Sequence, residues 1–142
     1  MKALRSITLG FGLLLITAAA NAQGVNLRAN IPFDFVAGNQ NLPAGEYVVQ
    51  PTLAGTGILT IRSSDGSKSA SSITYACGGG NASSKTELIF HRVGRMYFLS
   101  QVQVEGHSEG RQLPKSHTEA EAQVASNQKA DNVVIFAEVV NR

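Results

Sequence analysis

Apolar and polar positions divide the chain into an uncharged apolar start and a long body of short, alternating segments. From Ile7 to Ala20 there is no charge, and Leu, Ile and Ala dominate. Further on, Leu27, Ala29, Ile31, Phe33 and Phe35 alternate with Arg28, Asn30 and Asp34. A period of two sends successive side chains to opposite faces, so this segment predicts a strand with one dry and one wet side. Pro32 has no amide hydrogen to donate, which places the strand at an edge or bends it there.

The rest of the body reads as strands separated by turns. Gly38 to Gly45 has turn chemistry, with Gly, Asn and Pro in close succession. Tyr47-Val48-Val49 resumes β character, and Gly55 and Gly57 bracket a turn before Ile58-Leu59-Thr60-Ile61. Ser64-Asp65-Gly66-Ser67 is the strongest tight-turn signal, because Asp-Gly suits the positive φ of hairpin turns. Ser72 to Ala76 is the return strand, with Ile73 and Tyr75 on one face. Cys77 to Ser84 is loose, with three glycines in a row. A central hairpin follows: Leu88-Ile89-Phe90-His91 and Met96-Tyr97-Phe98-Leu99 flank Arg92-Val93-Gly94-Arg95. A two-residue turn at Val93-Gly94 pairs Phe90 with Tyr97, Ile89 with Phe98, Leu88 with Leu99 and His91 with Met96. Apolar residues on both faces mark it as interior.

After a polar turn at Gly106 to Gly110, Pro114 opens the one helical candidate. Ser116 with Glu119, or Thr118 with Glu121, fits a capping box, in which a hydroxyl and a carboxylate satisfy the first free amides. The apolar face is thin (Ala120, Val124), so the helix belongs on the surface over a sheet edge. Val133 to Ala137 reads as a buried-type closing strand. The pattern predicts a mostly β fold: a seven- to eight-stranded antiparallel sandwich or small open barrel, with one short surface helix near residues 115–126.

The apolar start is read by its flanks. Lys2 and Arg5 precede it, and Ala20-Asn21-Ala22 closes it with small residues where a signal peptidase reads. A membrane-spanning helix needs roughly 20 apolar residues; the run from Ile7 to Ala20 has 14, interrupted by Gly10 and Gly12. Residues 1–22 are therefore expected to be a secretory signal peptide cleaved between Ala22 and Gln23, leaving residues 23–142 as a single β domain in the periplasm or outside the cell. No Cys follows the cleavage site to carry a lipid, and Val133 to Arg142 contains no hydrophobic tail, so no membrane span is expected after cleavage. Outer-membrane barrels need strands of about 9–11 residues and aromatic girdles, and this chain has no Trp, three Tyr and several shorter strands.

Cleavage changes the charge. Loss of Lys2 and Arg5 takes Lys plus Arg from 12 to 10, equal to the 10 Asp plus Glu, so the mature chain is formally neutral. Nucleic-acid binding relies on a positive excess that displaces counterions, and that partner class is not expected. The single Cys77 has no internal disulfide partner. Its place at a strand end favours a buried thiol, the alternative being a dimer joined through Cys77.

Four segments in order carry a resemblance: Ala29-Asn30-Ile31-Pro32-Phe33-Asp34-Phe35; Leu42-Pro43-Ala44-Gly45-Glu46-Tyr47; Phe90-His91-Arg92 with Tyr97-Phe98-Leu99; and Gly110-Arg111-Gln112-Leu113-Pro114-Lys115-Ser116. Together they resemble a group of uncharacterised small exported β proteins of acidobacterial-type soil bacteria, over most of residues 23–142. The resemblance implies a bacterial host and a place in the periplasm or beyond, and carries over no catalytic or binding residue.

Candidate chemistry is sparse. His91 as a catalytic base would need a nucleophile and an orienting acid, and a partly buried, hydrogen-bonded histidine at a sheet rim is the expected reading. His107, Glu109 and His117 have the donor types of a zinc site with one open position, but not the spacing that sets two ligands on one helical face. Gly78-Gly79-Gly80 lacks the Lys-Ser or Lys-Thr helix start of a phosphate loop, since Lys85-Thr86 enters a strand. Asn81-Ala82-Ser83 matches a glycosylation sequon, relevant only in a eukaryotic secretory host. No Gly-x-Ser-x-Gly elbow is present. The sequence thus assigns no catalytic, cofactor-binding or metal residue and no cofactor. It favours an exported non-catalytic β module of unknown ligand, with a binding role or a structural role in the envelope or matrix. The alternatives are a small metal-assisted hydrolase using His107, Glu109 and His117, or a barrel carrying a small apolar ligand.

Overall fold

The computed structural model describes residues 24–51 and 57–140. The expected signal peptide, its expected cleavage site at Ala22–Gln23 and Gly55 lie outside those residues. The described chain begins with β1 (Leu27–Ile31), β2 (Phe35–Ala37), β3 (Gln40–Leu42), β4 (Gly45–Pro51), β5 (Gly57–Ser63) and β6 (Ser69–Gly78). It continues with β7 (Glu87–Val93), β8 (Met96–Gln103), β9 (Glu109–Gln112), α1 (His117–Ser126), β10 (Asp131–Phe136) and β11 (Glu138–Val139). The fold is mostly β with one helix. The eleven strands exceed the expected seven to eight because β2, β3 and β11 are only two or three residues long. Pieces that short leave no periodic signal of their own.

β1 has the predicted alternation: Leu27, Ala29 and Ile31 are buried, Arg28 and Asn30 exposed. It is not an edge, since it pairs with β4 on one side and β11 on the other. Pro32 acts by bending the chain, and Phe35 resumes the buried series on β2. Pairing runs in the order β10-β7-β8-β9-β6-β5-β4-β1-β11. The ten-residue β6 turns a corner in this order, pairing with β5 over Ser69–Thr74 and with β9 over Tyr75–Gly78. β10 and β11 stand at opposite ends of the order, yet Ala137 alone separates them in the chain. One core cluster draws on both halves: Leu27, Ile31, Val49 and Ile61 pack with Leu88, Phe90 and Val102. The pairing is antiparallel except where β2 meets β8 in parallel at Val36↔Phe98.

The β7–β8 hairpin is real, but its register is not the expected one. The turn is Gly94-Arg95, so Phe90 opposes Leu99 and His91 opposes Phe98. A two-residue turn with positive φ only at its first position requires Gly there, and Gly94 has φ +62 while Arg95 is not left-handed. A bulge at Ile89/Phe90 shifts the pairing once more, so that Ile89 opposes Gln101 and Leu88 opposes Val102.

Tertiary packing decides which way three further elements face. Ile73 and Tyr75 do share a face of β6, but it is the outer one, at 64% and 62% exposure, while Ala70 and Thr74 turn inward. β10 is half-covered instead of fully buried: Val133 and Ile135 pack on the core, and Val134 and Phe136 face out. Helix α1 lies against β7 but turns Ala120 and Val124 to solvent. Its inward side carries buried Glu119 and half-buried Ala122, the latter on a small cluster of Val36, Val93 and Phe98. No helix among the described residues is long and apolar enough to cross a membrane.

Candidate ligand-binding site

Two hairpin tips and the open base of a third hairpin meet beside the core. In the β5–β6 turn, Gly66 takes φ +76 and Asp65 accepts from Ser63 Oγ (2.6 Å), Ser67 Oγ (2.7 Å) and Ser67 N (2.9 Å). These bonds fix the turn that presents Lys68, and they hold the Asp65 carboxyl at about 2, below its ordinary 3.8. Gly94 makes the tip that presents Arg95, and Gly38, at φ +60, joins β2 to β3. The β5–β6 and β7–β8 tips and the open base of the β2–β3 hairpin, where Phe35 pairs with Leu42, line an open cavity of about 510 Å³, within the range of ligand pockets. Phe35, Val36, Leu42, Pro43, Met96 and Tyr97 supply its apolar lining, and Asp34, Asn41, Lys68 and Arg95 its polar groups.

The walls are pinned from behind. Phe35, Val36 and Leu42 are buried, and the Tyr97 ring stacks on Phe33 at 3.8 Å between centroids. Phe33 in turn meets Phe90 edge-on at 5.1 Å, which ties this wall to the core. The Pro43-Ala44 wall is held twice: Tyr47 Oη donates to the Pro43 carbonyl (2.5 Å), and Ala44 N donates to Asp34 Oδ1 (2.9 Å). Burial pushes the Tyr47 phenol up from its ordinary value, helped by the negative charges of Asp65 and Asp34, so it stays a donor. Such a pocket is formed before any ligand arrives.

Its cations are unmatched. All ten Asp and Glu of the chain are among the described residues, and the ion pairs there are Arg28–Glu46 (3.4 Å) and His91–Glu119 (2.7 Å). Neither Lys68 nor Arg95 has a carboxylate at ion-pair distance. Asp34 shares the cavity, but one of its oxygens is already occupied by Ala44 N–H.

Two polar clusters lie elsewhere. His91 Nδ1 bonds Glu119 Oε1, joining β7 to α1. This is the hydrogen-bonded histidine expected, although its partner acid comes from the helix. Arg111 is buried at 6% exposure and donates from Nε and Nη2 to Thr74 Oγ1 (3.0 Å) and Thr74 O (3.1 Å). Thr74 Oγ1 donates onward to the Gly57 carbonyl (2.7 Å). A Cβ at Gly57 would overlap the Arg111 guanidinium, so this placement of Arg111 depends on the missing side chain there. Cys77, opposite Gly110, is half-buried, so the buried-thiol expectation is met only in part. Burial raises its pKa, partly offset by the Arg111 charge.

The proposed metal ligands are not brought together. His107 and Glu109 are exposed beside the β8–β9 turn, His117 is exposed at the start of α1, and no group of three such donors among the described residues could hold a metal ion. Gly78 and Gly79 adopt positive φ on the way out of β6, and no helix follows them. Ser83, after the sequon Asn81, is pinned by hydrogen bonds between Ser83 N and His107 O and between Gly106 N and Ser83 O. Sequence reasoning missed Asp34, Lys68 and Arg95. Their one signal is a charge next to a turn, shared with many solvated residues. Comparison with known protein families, curated proteins and solved structures finds no match to this chain.

Proposed function

We propose that the chain is an exported, non-catalytic β module that binds a small ligand in the pocket between the base of the β2–β3 hairpin and the β5–β6 and β7–β8 tips. The observation that carries this reading is the pocket's construction: an apolar floor continuous with the core, a wall held by Tyr47 and Asp34, and convergent polar groups at the rim. Pinned walls lower the ordering cost of binding. The site offers no nucleophile–base pair of the kind covalent catalysis needs, and this favours binding over turnover.

The same reading takes the sheet to be a closed barrel. Strand β10 runs through Ala137 into β11, and between them they bond to both ends of the pairing order, at β7 and β1. Closure removes exposed edges. The barrel interior is filled by Leu27, Ile31, Val49, Leu88 and Phe90, each at 0% exposure, so the ligand is assigned to the pocket at the hairpin tips and not to the barrel axis. Export follows from the leader: cleavage after Ala22 would release the module to the periplasm or beyond.

An amide shift map with the uncharged probe N-phenyl-1-naphthylamine tests the site. Perturbations are expected at Phe35, Val36, Leu42, Met96 and Tyr97. Perturbations centred on the exposed Ile58, Ile73 and Tyr75 face, or none at all, would overturn the assignment.

A further inference from the structure

We infer that the ligand of this pocket is a small amphipathic anion, whose apolar body lies on Phe35, Leu42 and Met96 and whose carboxylate, sulfonate or phosphate head is held by Lys68 and Arg95. The inference rests on the binding reading above and adds the ligand's charge. Lys68 and Arg95 come from two different turns and line the same cavity. No Asp or Glu among the described residues is at ion-pair distance from either, although all ten are described. Asp34 leaves the lining at a formal +1, and its Oδ1 is engaged by Ala44 N–H. A cationic ligand would bring a third positive charge to Lys68 and Arg95. A neutral one would leave their donors to water. An anion accepts charge-assisted hydrogen bonds from an ammonium and a guanidinium at once. The cavity, about 510 Å³ between the β2–β3 base and two turns, has room for one small molecule, and the ligand is assigned as a free molecule on that ground.

The test uses two probes with one anilinonaphthalene body. 8-Anilinonaphthalene-1-sulfonate carries a sulfonate, and N-phenyl-1-naphthylamine does not. Fluorescence titration of the secreted protein at low salt should give roughly tenfold tighter binding of the sulfonate, from two partly screened contacts. That preference should shrink as salt is added. In the Lys68→Gln/Arg95→Gln double variant the ratio of the two affinities should fall to about one, by loss of the same contacts. Equal affinities in the unmodified protein, or a ratio unchanged in the double variant, overturn the anion inference and leave the pocket reading standing. Met96→Glu should weaken both probes. If it weakens neither, or if neither probe binds the unmodified protein, the pocket reading itself fails. Flotation with phosphatidylglycerol vesicles should recover no protein; recovery that depends on Lys68 and Arg95 would overturn the free-molecule assignment.

Discussion

Arg111 and Asp65 show how individual charges are accommodated. Arg111 is buried without an acid beside it, and its guanidinium is met by the hydroxyl and carbonyl of Thr74. Those bonds offset part of the desolvation that a buried charge incurs. They are possible because position 57 has no side chain. In sequence Gly57 reads as a turn residue. Its true role depends on a side chain 54 positions away, which no local pattern reports. Asp65 is the opposite case, a fully exposed carboxylate whose three hydrogen-bond donors are all within two residues. Its depressed pKa makes a signed prediction. A group whose folded pKa lies below its unfolded value stabilises the fold when ionised. The contribution should be whole above about pH 4 and lost as pH falls toward about 2. Carboxyl chemical shifts should show Asp65 titrating with a midpoint at about 2; a midpoint near 3.8 would mean the Ser63 and Ser67 bonds do not persist in solution.

Among the elements, α1 was the most legible in position and the least in orientation. Ser116 is the N-cap, with its hydroxyl accepting from Glu119 N at 3.1 Å, as the capping pattern predicts. The reciprocal half of the box is missing, because the Glu119 carboxylate turns to His91. Ser116→Ala should cost about 1 kcal/mol of stability in urea denaturation. Thr118→Ala should change little, because Thr118 is exposed inside the helix and caps nothing. Equal losses from the two would contradict the capping assignment. The helix buries a carboxylate and exposes Val124 at 83%, against its apolar pattern. The histidine waiting on β7 decides that face, and His91 precedes Glu119 by 28 positions. The β7–β8 hairpin gives the same lesson at shorter range. Alternation located both strands, but the φ of Gly94 and the bulge at Ile89/Phe90 set the partners.

For the whole molecule, the export reading makes the plainest prediction. Intact mass of protein recovered from the periplasm or medium of an expressing bacterium should correspond to a chain starting at Gln23. Protein retaining Met1 in the cytosol would contradict export. Much of the architecture was written in the chain itself. Alternating apolar residues specify strands because the side-chain period of a strand is two, and Gly, Asp and Pro specify turns because they restrict or free φ locally. These interactions span a few residues, so the mostly β character, the Asp65-Gly66 turn and the Ser116 cap all follow from sequence. Which strands become neighbours, which face of β6 or α1 meets the core, and which charges gather at one cavity depend on contacts between distant segments. Asp34, Lys68 and Arg95 lie far apart in the chain and become a site only because the β1–β2 link and the β5–β6 and β7–β8 turns meet beside the core.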